Sequence, residues 1–286
     1  MKPNYLTENA IAHFINLALQ EDVQDGDHST LAAVPADAKQ KAQLIIKGEG
    51  IIAGIEMAEK IFSQVDETLK VDLLVRDGDA VKFGNIGLYV SGNAQSILTA
   101  ERLVLNCMQR MSGIATYTNE IVKLLEGTKT KVLDTRKTTP NFRLMEKWAV
   151  YIGGGKNHRY GLFDMIMLKD NHVDYAGSIT KAVNATVAYL AKTGKKLRIE
   201  VETRNLEEVK EALAVGNVDV IMLDNMNYDM MKEAVAIIGD QCQTEASGGI
   251  TLETIKPVAE CGVDFISVGA LTHSIKSMDI SLKAVV

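Results

Sequence analysis

Three cysteines, four prolines and one tryptophan are all that 286 residues supply of these types, and aromatics make up only 5%. Cys107, Cys242 and Cys261 are odd in number, widely separated and without a C-x-x-C pair. That excludes a disulfide framework or a zinc ribbon and points to a reducing compartment. So few prolines, with no low-complexity tract, leave little chain for long linkers or disorder. No apolar run approaches the roughly 18–20 residues of a membrane span, and the opening Met1-Lys2-Pro3-Asn4-Tyr5 lacks the apolar core of a secretory signal. A surplus of basic charge is missing too. Lys+Arg 31 against Asp+Glu 37 gives a formal charge of −6, which argues against a general nucleic-acid binder. The expectation is a cytoplasmic protein with neither a membrane nor a nucleic-acid partner.

At 47% hydrophobic and 24% charged, the chain has the make-up of a globular protein, long enough for one large domain or two ordinary ones. Ile11, Phe14, Ile15 and Ala18 fall at helical spacing, so an amphipathic helix opens it. Asp25-Gly26-Asp27-His28-Ser29-Thr30 follows as a polar turn. Its carboxylates and His28 fall short of any standard metal loop, so the turn is read as structural. Between Ala42 and Gly92 the rhythm becomes short β-like runs, at residues 43–47, 71–75, 80–83 and 86–90, with a helix over 54–69. Gly48-Glu49-Gly50-Ile51-Ile52-Ala53-Gly54 nearly matches a dinucleotide fingerprint. Its last glycine is one position late and the preceding run is short, which excludes a Rossmann site. Residues 94–125 read as a helix bridging the two halves, with Arg102 beside an apolar Leu-Val-Leu run.

From Lys131 onward strand, loop and helix alternate. Candidate strands at 132–134, 165–168, 197–201, 220–223, 244–246 and 265–268 are separated by helical patterns at 179–191, 206–214, 230–238 and 252–260. Such alternation predicts a parallel sheet, and six units at this length favour an α/β barrel, complete or incomplete, over an open sheet. The expected fold is α/β: an N-terminal α+β domain with its bridging helix over 1–110, then a barrel over 111–286. Roughly the last dozen residues are expected to pack back on the first domain.

Chemistry concentrates in residues 134–172. Seven Lys/Arg (Arg136, Lys137, Arg143, Lys147, Lys156, Arg159, Lys169) stand there against four acids, with two histidines and the run Gly153-Gly154-Gly155. Screening decays over about 8–10 Å, so a small ligand responds to this local surplus and not to the total charge. Polar residues also recur where the apolar runs end: Arg136, Lys169, Glu202, Asp224, Ser247 and Gly269. In a parallel barrel those positions share the C-terminal rim, where barrel enzymes do their chemistry. Ser247-Gly248-Gly249 and Gly269-Ala270-Leu271-Thr272-His273-Ser274 follow the last two strands, the usual phosphate grip of such barrels. Glu202 and Asp224 suit ribose hydroxyls or a Mg²⁺ ion held through water. An anion-binding cleft with a phosphate at one end is the reading.

At this point the residues resemble the quinolinate phosphoribosyltransferases. The matching stretches are Ala100-Glu101-Arg102, Asp134-Thr135-Arg136-Lys137-Thr138-Thr139-Pro140, residues 153–159, Lys169-Asp170-Asn171-His172, Glu200-Val201-Glu202-Thr203, Leu223-Asp224-Asn225, residues 245–250 and Ser267-Val268-Gly269. The resemblance implies a Mg²⁺-dependent transfer of phosphoribosyl from phosphoribosyl pyrophosphate to quinolinate, with decarboxylation, in NAD biosynthesis. It also implies a homodimer that shares its active sites. Carried onto matching positions, Arg102 reaches quinolinate from the partner subunit, and Arg136, His158, Arg159 and Lys169 line the quinolinate pocket. Lys137 assists phosphoribosyl pyrophosphate, Glu202 and Asp224 lie near its ribose and metal, and Ser247, Gly248, Gly249, Gly269 and His273 surround its 5′-phosphate. Lys137, Lys169, Glu202 and Asp224 are the catalytic set so implied. Asn141-Phe142 departs from the family's glycine-leucine, and Thr203-Arg204-Asn205 carries an extra residue. Three other readings stay open: a non-decarboxylating transferase acting on nicotinate, a Schiff-base aldolase using Lys169, and a phosphometabolite-binding barrel without catalysis.

Overall fold

The alternating patterns form distinct elements in the computed structural model, which describes residues 3–285. In chain order they begin with α1 (Glu8–Asp22), α2 (His28–Ala33), β1 (Lys39–Ile46), β2 (Gly50–Ile51), α3 (Ile55–Val65), β3 (Lys70–Leu73), β4 (Ala80–Val81), β5 (Ile86–Asn93) and α4 (Ala94–Leu124). Next come β6 (Lys131–Leu133), α5 (Arg143–Ile152), β7 (Ile166–Leu168), α6 (Asp170–Ala176), α7 (Ile179–Thr193), β8 (Ile199–Thr203), α8 (Leu206–Val215) and β9 (Val220–Asp224). The chain ends with α9 (Tyr228–Ile238), β10 (Gln243–Ser247), α10 (Ile255–Ala259), β11 (Phe265–Ser267), α11 (Ala270–His273) and β12 (Ile280–Ala284). These elements make two units. One comprises Met1–Asn119, Lys137–Gly154 and Ala270–Val286, the other Glu120–Arg136 and Gly155–Gly269. The first thus draws on three stretches of chain and not on the first 110 residues alone.

In the first unit an antiparallel sheet runs in the order β12-β1-β5-β3. On β1 Ala42, Leu44 and Ile46 are buried at alternate positions, the period of two that a one-sided sheet demands. Ile55, Met57, Ala58, Ile61 and Phe62 of α3 are buried as well. Gly50 sits against α4, where a β-carbon would fall 2.3 Å from Thr116 Oγ1. Gly50 and Gly54 of the near-fingerprint therefore serve packing against α4. So does Gly153, whose added β-carbon would meet the Ala115 carbonyl at 2.5 Å.

The second unit is a six-stranded parallel sheet in the order β6-β11-β10-β9-β8-β7. Read from β7, the strands follow chain order to β11 and then return to β6. A doubly wound sheet reverses its order in the middle; cyclic order is the signature of a barrel. Among the described residues β6 and β7 do not pair, and the only bridge on that side joins Leu133 to Lys156, so the barrel is incomplete. Ile199, Val201, Ile221, Leu223, Ala246 and Ile266 supply the strands' share of the core, and Val183, Val209, Ala234 and Ile238 that of the helices.

Several local expectations need correction. The Asp25–Thr30 turn is the start of a helix: Asp27 accepts the Thr30 N–H at 3.1 Å and caps α2. The helix over 54–69 stops at Val65, and the one over 252–260 shrinks to α10. Helices α5 and α6 and strand β12 were not foreseen. Within the basic window Lys147 is fully buried on α5, so it adds nothing to an exposed cationic surface.

Candidate active site

Because all six barrel strands run parallel, their C-terminal ends share one rim. Arg136 follows β6, Lys169 follows β7, Glu202 is the next-to-last residue of β8, Asp224 ends β9, Ser247 ends β10 and Gly269 follows β11 by two residues. Asp224 and Ser247 are register partners on neighbouring strands. Lys169 Nζ lies 3.0 Å from Glu202 Oε2, a cross-strand ion pair with a half-exposed lysine and a nearly buried carboxylate. His172 turns the chain out of β7, its Nδ1 accepting the Lys169 N–H at 3.0 Å as α6 begins.

The basic cluster is built on Asp134, a buried carboxylate just beyond β6. It accepts the Asn157 side-chain amide at 2.6 Å and the His158 backbone N–H at 2.9 Å, which fixes the 157–159 loop above the strand. Arg159 donates from Nη1 to the Met165 carbonyl at 3.2 Å. Burial, then the neighbouring charge of Arg136, pushes the Arg159 pKa below its ordinary value, with Glu200 and Asp164 pulling the other way. The two guanidinium charges are thus near enough to interact, and such a pair suits a dianion through planar, forked contacts.

His158 is held on both sides of its ring. Its Nδ1 accepts the Arg159 N–H at 2.7 Å. Its Nε2 lies 2.9 Å from Glu200 Oε2 and 3.4 Å from Glu245 Oε2. The approach is short but oblique to a hydrogen-bond direction, so it is an ion-pair contact. Burial opposes a charge on the ring, yet the two carboxylates outweigh it and push its pKa up to about 10. The bond received at Nδ1 favours instead a ring with a single proton. The bond from Arg159 belongs to the neutral ring with its proton on Nε2, because a charged ring carries a proton on Nδ1 and has no acceptor there. Burial, joined by Glu245, raises the Glu200 pKa, while His158 and Arg159 lower it.

The glycine loop after β10 is locked to the loop after β9. Asn225 donates its N–H to the Ser247 carbonyl at 2.9 Å and its side-chain amide to Asp224 Oδ2 at 2.7 Å. Gly248, at φ +103°, has room for no β-carbon, because Asn225 Oδ1 lies 2.2 Å from where it would stand. Gly249, at φ +60°, meets no crowding and needs only the left-handed backbone.

Arg102, Lys137 and His273 belong to the first unit. Arg102 lies on α4. Thr272 Oγ1 donates to the Lys137 carbonyl at 2.7 Å, and His273 Nδ1 contacts Ser274 Oγ at 2.6 Å. Arg110 Nη2 donates to the Thr272 carbonyl at 2.6 Å and to the fully buried Glu146 at 2.7 Å, and Glu146 accepts the Thr139 N–H at 3.0 Å. The segments carrying Lys137 and His273 are therefore tied together by Arg110 and Glu146. Sequence reasoning named neither residue, nor Asp134, Asn157, Glu200 or Glu245, as part of a site. A signal existed for the last two, since a glutamate inside an apolar core strand needs a partner there.

An incomplete parallel barrel with guanidiniums, a lysine and glycine turns on one rim defines a barrel enzyme for small, multiply charged anions. Comparison with known proteins narrows the class. The N-terminal domain of quinolinate phosphoribosyl transferase matches residues 27–112 and its C-terminal domain residues 114–283. A chloroplastic carboxylating nicotinate-nucleotide pyrophosphorylase of Oryza sativa subsp. japonica is 50% identical over 94% of this chain and 76% of its own length. A probable enzyme of the same name from Bacillus subtilis is 42% identical over 94% of this chain and 91% of its own. The solved nicotinate-nucleotide pyrophosphorylase of Francisella tularensis superposes with a TM-score of 0.91 at 40% identity, covering 99% of this chain and 98% of that one. The chain belongs to the quinolinate phosphoribosyl transferase family.

Proposed function

We propose that the protein transfers phosphoribosyl from phosphoribosyl pyrophosphate to quinolinate and releases CO₂ and pyrophosphate, giving nicotinate mononucleotide for NAD biosynthesis. The observation that carries this reading is the gathering of Arg136 and Lys169 beyond strand ends of one rim, with Arg159 near enough to Arg136 for their charges to interact. Quinolinate has two adjacent carboxylates, and paired guanidiniums answer them at once. Nicotinate, with one carboxylate, would leave part of this charge unanswered.

Arg136, Arg159 and Lys169 bind the dicarboxylate with His158 in the pocket wall, and Arg102 reaches it from the second protomer of a homodimer. Ser247, Gly248, Gly249, Gly269 and His273 hold the 5′-phosphate, and Lys137 assists the pyrophosphate. Glu202 and Asp224 fit a divalent ion, Mg²⁺ in our assignment. Both are oxygen donors, and each has one oxygen engaged, by Lys169 and Asn225 respectively, and a second outside those contacts. When bound, Mg²⁺ would offset the charge that builds on departing pyrophosphate. Lys169, paired with Glu202, serves charge and position here and does not form an imine.

The ring nitrogen attacks the anomeric carbon as the bond to pyrophosphate breaks, with an oxocarbenium-like state between. No side-chain nucleophile is needed, and holding the reactants in line supplies most of the rate. The ring nitrogen is then cationic, which stabilises the electron pair left on the adjacent ring carbon when its carboxylate leaves as CO₂. A proton takes its place. The test supplies phosphoribosyl pyrophosphate and Mg²⁺ with quinolinate or nicotinate. Stoichiometric CO₂ and pyrophosphate with quinolinate alone is the expected result; turnover with nicotinate and no CO₂ overturns the assignment. The cytoplasm is the proposed location: the three cysteines are free, and a bacterial relative shares the name of the plant enzymes.

A further inference from the structure

Asp224, assigned above with Glu202 to the ribose and its metal, ends β9 with a side chain only partly buried. Among the described residues its carboxylate takes a single hydrogen bond, from the side-chain nitrogen of Asn225 at 2.7 Å. We propose that Asn225 is a positioning residue: braced against the turn after β10, it sets the Asp224 carboxylate for phosphoribosyl pyrophosphate. This rests on the phosphoribosyl pyrophosphate reading above and deepens it.

Asn225 opens the short loop between β9 and α9 with a left-handed φ of +52°. Glycine takes that conformation freely, and asparagine is among the few side chains that tolerate it. The backbone therefore needs no side chain here. The bond from the Asn225 N–H to the Ser247 carbonyl at 2.9 Å is a main-chain bond as well. What asparagine adds is its amide, and both ends of that amide meet groups of the site. The Asp224 carboxylate can only accept, so the amide nitrogen faces it. The amide oxygen then lies over Gly248, in the space that a β-carbon would need. Gly248 follows Ser247, the register partner of Asp224 on the neighbouring strand. The brace thus starts on the turn assigned to the 5′-phosphate and ends on the carboxylate assigned to the ribose. Both subsites serve one substrate, so fixing their spacing in advance lowers the ordering that binding requires. Fold stability gives little reason for the contact. Asn225 is exposed, and a bond between adjacent residues closes no loop of chain.

The test is Asn225→Gly, which suits the left-handed backbone and removes only the amide. Its melting temperature should stay near that of the wild type. KM for phosphoribosyl pyrophosphate should rise about tenfold, on the scale of a hydrogen bond to a charged group, with KM for quinolinate unchanged. Calorimetry gives a readout apart from turnover. Phosphoribosyl pyrophosphate and Mg²⁺ are titrated into protein holding benzene-1,2-dicarboxylate, which has CH in place of the reacting ring nitrogen, and Kd should weaken by the same factor. In an Asp224→Ala background Asn225→Gly should cost nothing further. Asn225→Asp keeps the outline but turns the donor into an acceptor. It should cost at least as much, and it decides the matter where the glycine variant fails to fold. Wild-type affinity in either variant, or an equal rise in both KM values, overturns the proposal. So do additive losses in the double variant, since Asn225 would then act on the substrate and not through Asp224. Absence of phosphoribosyl pyrophosphate binding to the wild-type protein overturns the functional reading, and the positioning role with it. Wild-type binding that Asn225→Gly leaves unchanged overturns the positioning role alone.

Discussion

Guanidiniums near enough to feel each other's charge repel, and a chain keeps them only where something else is gained. At Arg136 and Arg159 the gain proposed here is a fork for two adjacent carboxylates. Replacing Arg136 by alanine removes half of it and also relieves the repulsion on Arg159, so the fold should survive. The expected cost is about 3–4 kcal/mol of transition-state stabilisation, a fall in kcat/KM of roughly 10²–10³-fold. Melting temperature and circular dichroism should stay near wild type. Steady-state assays with quinolinate decide the matter, and wild-type rates in Arg136→Ala would remove the pocket assignment. Arg136 was readable in the sequence because it follows an apolar run, and Arg159 because it stands in the basic window behind Gly153-Gly154-Gly155. Glu200 and Glu245 were not singled out, because a glutamate in a core strand signals that it needs a partner but not which residue supplies it. Only the packed barrel shows that both point at one histidine.

At the scale of elements, the barrel strands were legible because burial on both faces leaves short apolar runs bounded by polar caps. Ser178, Asn205 and Asn227 mark the starts of α7, α8 and α9, each accepting a backbone N–H in the first turn. The extra residue near 204 costs the fold nothing, since Asn205 is that cap and Arg204 pairs with Glu208 and Asp174. The departure at Asn141 is just as mild. Its φ of +62° is left-handed, where asparagine stands closest to glycine, and Phe142 packs edge-on against Phe14 at 5.6 Å. Helix α5 was missed because its interior holds Glu146 and Lys147, charges that read as solvated and are instead fully buried. That burial carries a prediction. Arg110→Met would leave Glu146 without its cation and cost about 3–5 kcal/mol, seen as a lower melting temperature. It would also loosen Thr139 and Thr272, and so Lys137. The milder Thr272→Val removes the tie to the Lys137 carbonyl, about 1 kcal/mol. If Lys137 and His273 serve phosphoribosyl pyrophosphate, Thr272→Val should raise KM for that substrate and leave KM for quinolinate alone. An equal rise in both would detach this network from the sugar site.

For the whole molecule, the strand–helix alternation conveyed two folding units and the expected return of the last dozen residues, but not that Lys137–Gly154 joins the first unit. Ala270–Val286 belongs with that unit too, where β12 pairs along β1 from Ala42–Ala284 to Ile46–Ile280. The register of such long-range pairing leaves no local mark. Nor does sequence order reveal, in the homodimer proposed above, which protomer's Arg102 serves which pocket, and here subunit mixing gives a quantitative answer. Take one chain with Arg102→Ala and another with Arg136→Ala, each inactive alone, and let the dimers exchange at equal concentration. About half of the dimers are then mixed. If Arg102 crosses to the other protomer, a mixed dimer has one site with both lesions and one with neither, so about a quarter of wild-type activity returns. If Arg102 serves its own protomer's pocket, every site in every dimer keeps one lesion and the mixture stays inactive. Recovery near one quarter, rising and saturating as the exchange completes, therefore reports a shared site. A flat baseline with exchange independently verified would return Arg102 to its own subunit and make each protomer self-sufficient.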